Sequence, residues 1–206
     1  MQPITIEALQ ALVGKARGVF GTNAVVIAGG AVRDTLHGRP VKDIDMFVTL
    51  ADVTDGDPEE VGAWFKQACA SLANLMHVGG SQTFRQTPAE YGPLTDFCEI
   101  PATAYGVPLQ IILIDDDPAD DVHKYDFDLS QCFVTPNALF FTEAYRRSTE
   151  VREITYTPSA EDLAAQLRSK ARLSRLRAKY PDWIFRNCEA LDALPEPEPT
   201  DLTDLA

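Results

Sequence analysis

Residues 24–50, AVVIAGGAVRDTLHGRPVKDIDMFVTL, decide how this chain folds. An apolar run from Ala24 to Ala28 meets a glycine pair, Gly29-Gly30. A short segment carrying Arg33 and Asp34 follows, Gly38-Arg39-Pro40 turns the chain, and a second apolar run opens with Asp43-Ile44-Asp45. This order predicts strand, tight turn, helix, strand. Successive side chains of a strand alternate between its faces, so Asp43 and Asp45 share one face while Ile44, Met46 and Val48 share the other.

Two carboxylates side by side on a buried strand repel, and one would be driven to take up a proton unless a cation stood between them. Hard oxygen donors of this kind suit Mg²⁺, which keeps several waters and completes its shell with substrate phosphates. Gly29 and Gly30 allow close backbone approach at the turn, and the helix start that follows points toward an anion. The bland alternative is a simple turn followed by two strand-capping aspartates. A dinucleotide fold does not fit, because the G-x-G-x-x-G spacing is absent.

Gly29-Gly30-Ala31-Val32-Arg33-Asp34, Gly38-Arg39-Pro40 and Asp43-Ile44-Asp45 resemble, in order and spacing, the motifs of the DNA polymerase beta-like nucleotidyltransferase superfamily. The nearest pattern is the head domain of tRNA CCA-adding enzymes and bacterial poly(A) polymerases, and the likeness covers roughly residues 20–135. It implies an α+β nucleotidyltransferase fold: a mixed central sheet with helices mainly on one face, plus C-terminal helices. It also implies an NTP substrate and two Mg²⁺ ions, with Mn²⁺ as a substitute. Asp43 and Asp45 would hold both ions, and a third acid on a neighbouring strand would share one of them.

For that third acid the resemblance favours Asp126, in the place of the aspartate of an R-R-D-F motif. Asp128 is close behind and Asp115 is an outsider. The match is imperfect there, since Lys124-Tyr125 stands where two arginines are expected. Gly29 and Gly30 would hold phosphates through backbone N–H groups, Arg33 would brace the phosphates or the loop, and Asp34 would anchor the turn. Thr83-Phe84-Arg85 resembles the T-F-R segment of CCA-adding heads, so Arg85 is expected either on substrate phosphate or in an ion pair.

Composition sets the frame. The 206 residues carry a net charge of −13, which argues against a surface that coats nucleic acid throughout. The basic residues are nevertheless clustered: Arg168, Lys170, Arg172, Arg175, Arg177 and Lys179 form one run, whose helical face is the candidate contact for an RNA acceptor. No long apolar span and no leader pattern are visible, so no membrane partner is expected and the cytoplasm is the expected location. Cys69, Cys98, Cys132 and Cys188 are widely spaced without a zinc pattern and are expected to be reduced.

Periodicity predicts a helix over 5–20 capped by Thr5, a second over 59–75, strands near 75–85, 96–100 and 109–114, and a strand starting at Tyr125. A hairpin edge at 137–142, a short helix from Thr142 and a long helix from Pro158 to Lys179 capped by Ser159 follow. Pro181-Asp182-Trp183 is expected to start a last helical turn. The expected organisation is a catalytic domain over 1–150, a helical segment over 151–193 and an acidic, proline-rich disordered tail over 194–206. The reading is transfer of a nucleoside monophosphate from an NTP to an acceptor hydroxyl, an RNA 3′ end first. Protein or small-molecule acceptors, or a non-catalytic nucleotide-binding module, are the alternatives.

Overall fold

The computed structural model describes residues 3–49, 58–76, 83–85, 94–101, 103–158 and 162–195. The expected loop after Leu50, the Gly79-Gly80 interruption, Ser159 and the tail from 196 onward lie outside them. The chain divides into two compact units, one of residues 1–123 and 132–140, the other of 124–131 and 141–206. The segment 124–131 and the residues from 141 onward go with the second unit.

The first unit opens with α1 (Ile6–Phe20). The Thr5 hydroxyl accepts from the Ala8 N–H at 3.2 Å and caps it, and Gly21, at φ 70°, ends it. Strand β1 (Val25–Ala28) leads through Gly29 into α2 (Gly30–Leu36), and β2 (Ile44–Thr49) returns antiparallel to β1, with Val26 opposite Phe47 and Ile27 opposite Met46. Next come α3 (Pro58–Leu75), β3 (Thr83–Arg85), β4 (Leu94–Ile100), β5 (Leu109–Ile114) and the short α4 (Pro118–Asp121). Strands β6 (Cys132–Val134) and β7 (Leu139–Phe141) complete a seven-stranded sheet in the order β3-β4-β5-β2-β1-β6-β7. Strand β5 runs parallel to β2 and antiparallel to β4, so the sheet is mixed.

One face of this sheet is the core. Ile44, Met46 and Val48 of β2, Ile111 and Leu113 of β5, and Cys98 of β4 are all fully buried. Helix α3 packs on that face: a Cβ on its Gly62 would meet Asp96 of β4 at 3.7 Å. Helix α1 adds Leu9, Leu12, Val13, Ala16 and Phe20, and the Phe20 ring meets Trp64 edge-on and Phe65 at a tilt, with centroids 5.7 and 6.2 Å away. The opposite face carries Asp45, Phe47, Ile112, Phe97 and Glu99, all partly exposed. The expected mixed α+β sheet with helices mainly on one face is what the chain forms.

The second unit holds α5 (Glu143–Val151), β8 (Glu153–Thr155), α6 (Leu163–Lys179), β9 (Ile184–Arg186) and α7 (Glu189–Asp192). Strands β8 and β9 pair in parallel, an element pair the sequence reading lacks. Helix α6 begins at Leu163, five residues beyond the expected start, because the Asp162 carboxylate caps it by accepting from the Ala165 N–H at 2.8 Å. The strand expected at Tyr125 is absent. Phe127 makes one isolated bridge to Tyr156, and Asp128–Ser130 close a 3₁₀ turn.

Candidate active site

Burial along β2 alternates as the spacing requires. Ile44, Met46 and Val48 are fully buried, while Asp43, Asp45 and Phe47 keep partial access to solvent. Asp43 stands immediately before the strand, and its Oδ2 lies 3.3 Å from Lys42 Nζ, an ion pair whose lysine is half exposed. Such a pair is weak and yields readily to a stronger cation.

The turn beside these acids is built on backbone geometry. Gly29 has φ 70° and ψ −125°, a conformation essentially restricted to glycine, and its N–H donates to the Cys132 carbonyl at 2.9 Å. That donor is thus committed to the protein, which corrects the expectation that Gly29 offers it to a phosphate. Gly30 is the first residue of α2, and a Cβ there would meet only Arg33 Nη2, at 3.7 Å. The Cys132 Sγ lies 3.7 Å from the Gly29 carbonyl, and burial pushes its thiol up to about 12.

Arg33 and Asp34 are buried, and Arg33 Nε donates to Asp34 Oδ1 at 2.7 Å. The Arg39 N–H in turn donates to the Asp34 carbonyl at 2.7 Å, tying the Gly38-Arg39-Pro40 turn to α2. Arg33 Nε is thus engaged next to the turn it is expected to brace. The side chain of Arg85 lies outside the described residues; its backbone is level with Phe97 in β4.

Neither of the two favoured candidates for the third acid stands on a strand. Asp126 is on no strand and belongs to the second unit, where its Oδ2 accepts from Ser169 at 2.7 Å and pairs with Arg172. Asp128 is 6% exposed, and one oxygen accepts from the Leu129 N–H at 2.7 Å, the Thr155 N–H at 2.9 Å and Ser148 Oγ at 3.2 Å. Burial pushes its carboxyl above the usual range in spite of those donors. Both acids are engaged in holding the second unit together, and neither is on a strand, which corrects the strand expected to start at Tyr125. Asp115 follows β5 in an exposed bend.

The basic run is also largely engaged within its own unit. Arg172 pairs with Asp126, Arg177 makes a two-pronged pair with Asp192 at 2.6 and 2.9 Å, and the buried Lys170 donates to the Leu194 carbonyl. Among the described residues, no three of His, Cys, Asp and Glu gather as a ready-made metal cluster. No described helix is long and apolar enough to cross a membrane. All four cysteines are buried and unbridged.

Two carboxylates at the head of a strand, beside a glycine turn in a mixed sheet, are the layout of a nucleotidyltransferase head, and comparison with known proteins agrees. Residues 25–90 match the poly A polymerase head domain. Among solved structures, a tRNA-processing enzyme in its apo form is similar at TM-score 0.55 and 21% identity, over 93% of this chain and 46% of that one. The Thermotoga maritima CCA-adding enzyme, complexed with tRNA, gives 0.53 and 17% over 93% and 45%. A CCA-adding enzyme with ATP gives 0.55 and 18% over 89% and 40%. The chain thus spans less than half the length of these relatives, and at such identities the likeness is one of fold. No curated protein matches it in sequence. The resemblance to nucleotidyltransferase heads of the poly(A) polymerase and CCA-adding type is borne out.

Proposed function

We propose that this chain is a metal-dependent nucleotidyltransferase that moves a nucleoside monophosphate from an NTP to an acceptor hydroxyl. The observation that carries the proposal is the pair Asp43 and Asp45, alternating with buried Ile44 and Met46, beside the Gly29-Gly30 turn and within the stretch that matches the poly A polymerase head. Two hard carboxylates with partial solvent access fit Mg²⁺ or Mn²⁺, whose remaining positions water and a triphosphate fill. Asp43 and Asp45 would hold the ion, and Lys42 would release Asp43 as it arrives. When bound, the metal supplies a lowered pKa at the acceptor hydroxyl and neutralises triphosphate charge.

The chain's own groups then position the reactants. Gly29 fixes the turn, the Arg33–Asp34 pair and the Arg39 N–H tie the Gly38-Arg39-Pro40 turn to α2, and Gly30, lacking a Cβ, lets the phosphates approach the backbone. By holding the ion, Asp43 and Asp45 would set where the acceptor hydroxyl stands relative to the triphosphate.

An RNA 3′ end is the acceptor we favour, supported by relatives of this fold that process tRNA. A protein or small-molecule acceptor is the second reading, supported by the net charge of −13 and by the ion pairs that engage Arg172 and Arg177. Incubation with each α-labelled NTP, Mg²⁺ and a cellular extract, followed by separation into RNA, protein and small molecules, tests both. Label in RNA supports the first reading and label in protein or metabolites the second. Label in none of them contradicts the activity.

A further inference from the structure

The strands that flank β2 are β1 and β5. Neither carries an acid: β1 reads Val-Val-Ile-Ala and β5 reads Leu-Gln-Ile-Ile-Leu-Ile, so Gln110 is the single polar side chain on either neighbour. It is also level with Asp45. The parallel register sets Gln110 opposite Asp45, and the antiparallel register sets Glu99 of β4 opposite Gln110. Adjacent strands lie ~4.8 Å apart, so the three side chains form one row across the open face.

Gln110 is 4% exposed, and a buried amide is held by hydrogen bonds. Its Nε2 lies 3.4 Å from Glu99 Oε2. Only the NH₂ half of an amide can donate to a carboxylate, so Glu99 fixes which way round the amide sits. With the NH₂ half toward Glu99, the carbonyl oxygen is left for the other side of the row, on which Asp45 is the residue level with Gln110. An amide oxygen level with a carboxylate is a hard donor of the kind a divalent cation takes alongside carboxylates.

We propose that Gln110 Oε1 is the third protein oxygen of the metal site, next to Asp43 and Asp45, and that Glu99 is the positioning residue that orients it. This rests on the nucleotidyltransferase reading of that site. The donor set then carries two negative charges instead of three, so the free protein holds a divalent ion more weakly than a three-carboxylate site would. Glu99 stands to Gln110 as an outer partner stands to a metal ligand, and losing such a partner costs about tenfold or more in metal affinity.

The test is Mn²⁺ binding to the full, nucleotide-free chain, followed by the loss of the free-ion electron paramagnetic resonance signal, with melting curves run on every variant. Gln110→Met, which keeps the volume and removes the oxygen donor, is expected to bind at least about tenfold more weakly. Gln110→Glu, which adds a charge at the same place, is expected to bind about tenfold more tightly. Glu99→Ala should weaken binding while Glu99→Gln, which keeps an acceptor for the amide, should retain it.

Asp45→Asn separates the two levels of the argument. If it loses Mn²⁺ binding while both Gln110 variants titrate like the parent, the role given to Gln110 is overturned and the site stands. If Asp45→Asn also titrates like the parent, the metal site itself is wrong. Should Gln110→Met melt too low to titrate, Gln110→Glu alone decides, and a curve that overlays the parent's overturns the proposal.

Discussion

At the scale of single residues, the two glycines of the turn make opposite predictions. Gly29 holds φ 70° and ψ −125°, so Gly29→Ala is expected to cost about 1–3 kcal/mol in urea denaturation. Gly30 is helical and open on its Cβ side, so Gly30→Ala should leave stability unchanged or raise it by up to about 1 kcal/mol. If phosphates approach that backbone, the same Gly30→Ala variant raises KM for the NTP; an unchanged KM would remove Gly30 from the site. Asp128 gives a pH test. Its folded carboxyl is raised by burial, so the folded state binds more protons than the unfolded one as pH climbs through the carboxylate range. Stability is therefore lost with rising pH through that window. Asp128→Asn keeps an oxygen for Leu129, Thr155 and Ser148 and removes the charge, so it should be at least as stable as the parent at pH 7, with the advantage vanishing near pH 4. Urea midpoints at the two pH values check this; a variant destabilised at pH 7 contradicts it.

At the scale of elements, α6 illustrates what a charge pattern tells and what it hides. Spacing alone makes a basic stripe, but Arg172 is held by Asp126 and Arg177 by Asp192. Arg175 is the exposed arginine between them. If RNA binds this helix, Arg175→Gln should reduce the slope of log affinity against log salt by about 1. Superimposable salt curves for Arg175→Gln and the parent would take α6 out of any RNA contact. Elements of ten residues or more with a clear apolar stripe, such as α1 and α3, were legible in the sequence, and so was the alternation of β2 and the buried run of β5. Strands β8 and β9, at three residues each, are too short for any period to show. Tyr125 to Leu129 has the alternation of a strand, yet it folds as a bend and a 3₁₀ turn because Asp128 accepts backbone donors from Leu129 and Thr155. Gln110 passed unnoticed as one amide in an apolar run. Its level with Asp45 depends on a parallel pairing that no local pattern reveals.

At the scale of the whole molecule, the sequence displayed Asp43, Asp45 and the glycine turn because they are close in the chain, and obscured what stands level with them because strand pairing sets it. The chain matches less than half of each CCA-adding or tRNA-processing relative, so the head's chemistry is better supported than the identity of its acceptor. The claim that the β2 carboxylates make the chain a nucleotidyltransferase is tested most directly by one paired measurement. Transfer of label from an α-labelled NTP in Mg²⁺ is followed for the parent and for Asp45→Asn, with the melting temperature of each taken on the same sample. The account predicts a loss of at least about a hundredfold in turnover with no fall in melting temperature, since the change removes a metal-facing charge and little packing. An Asp45→Asn protein that melts like the parent and still transfers label at the parental rate would contradict it.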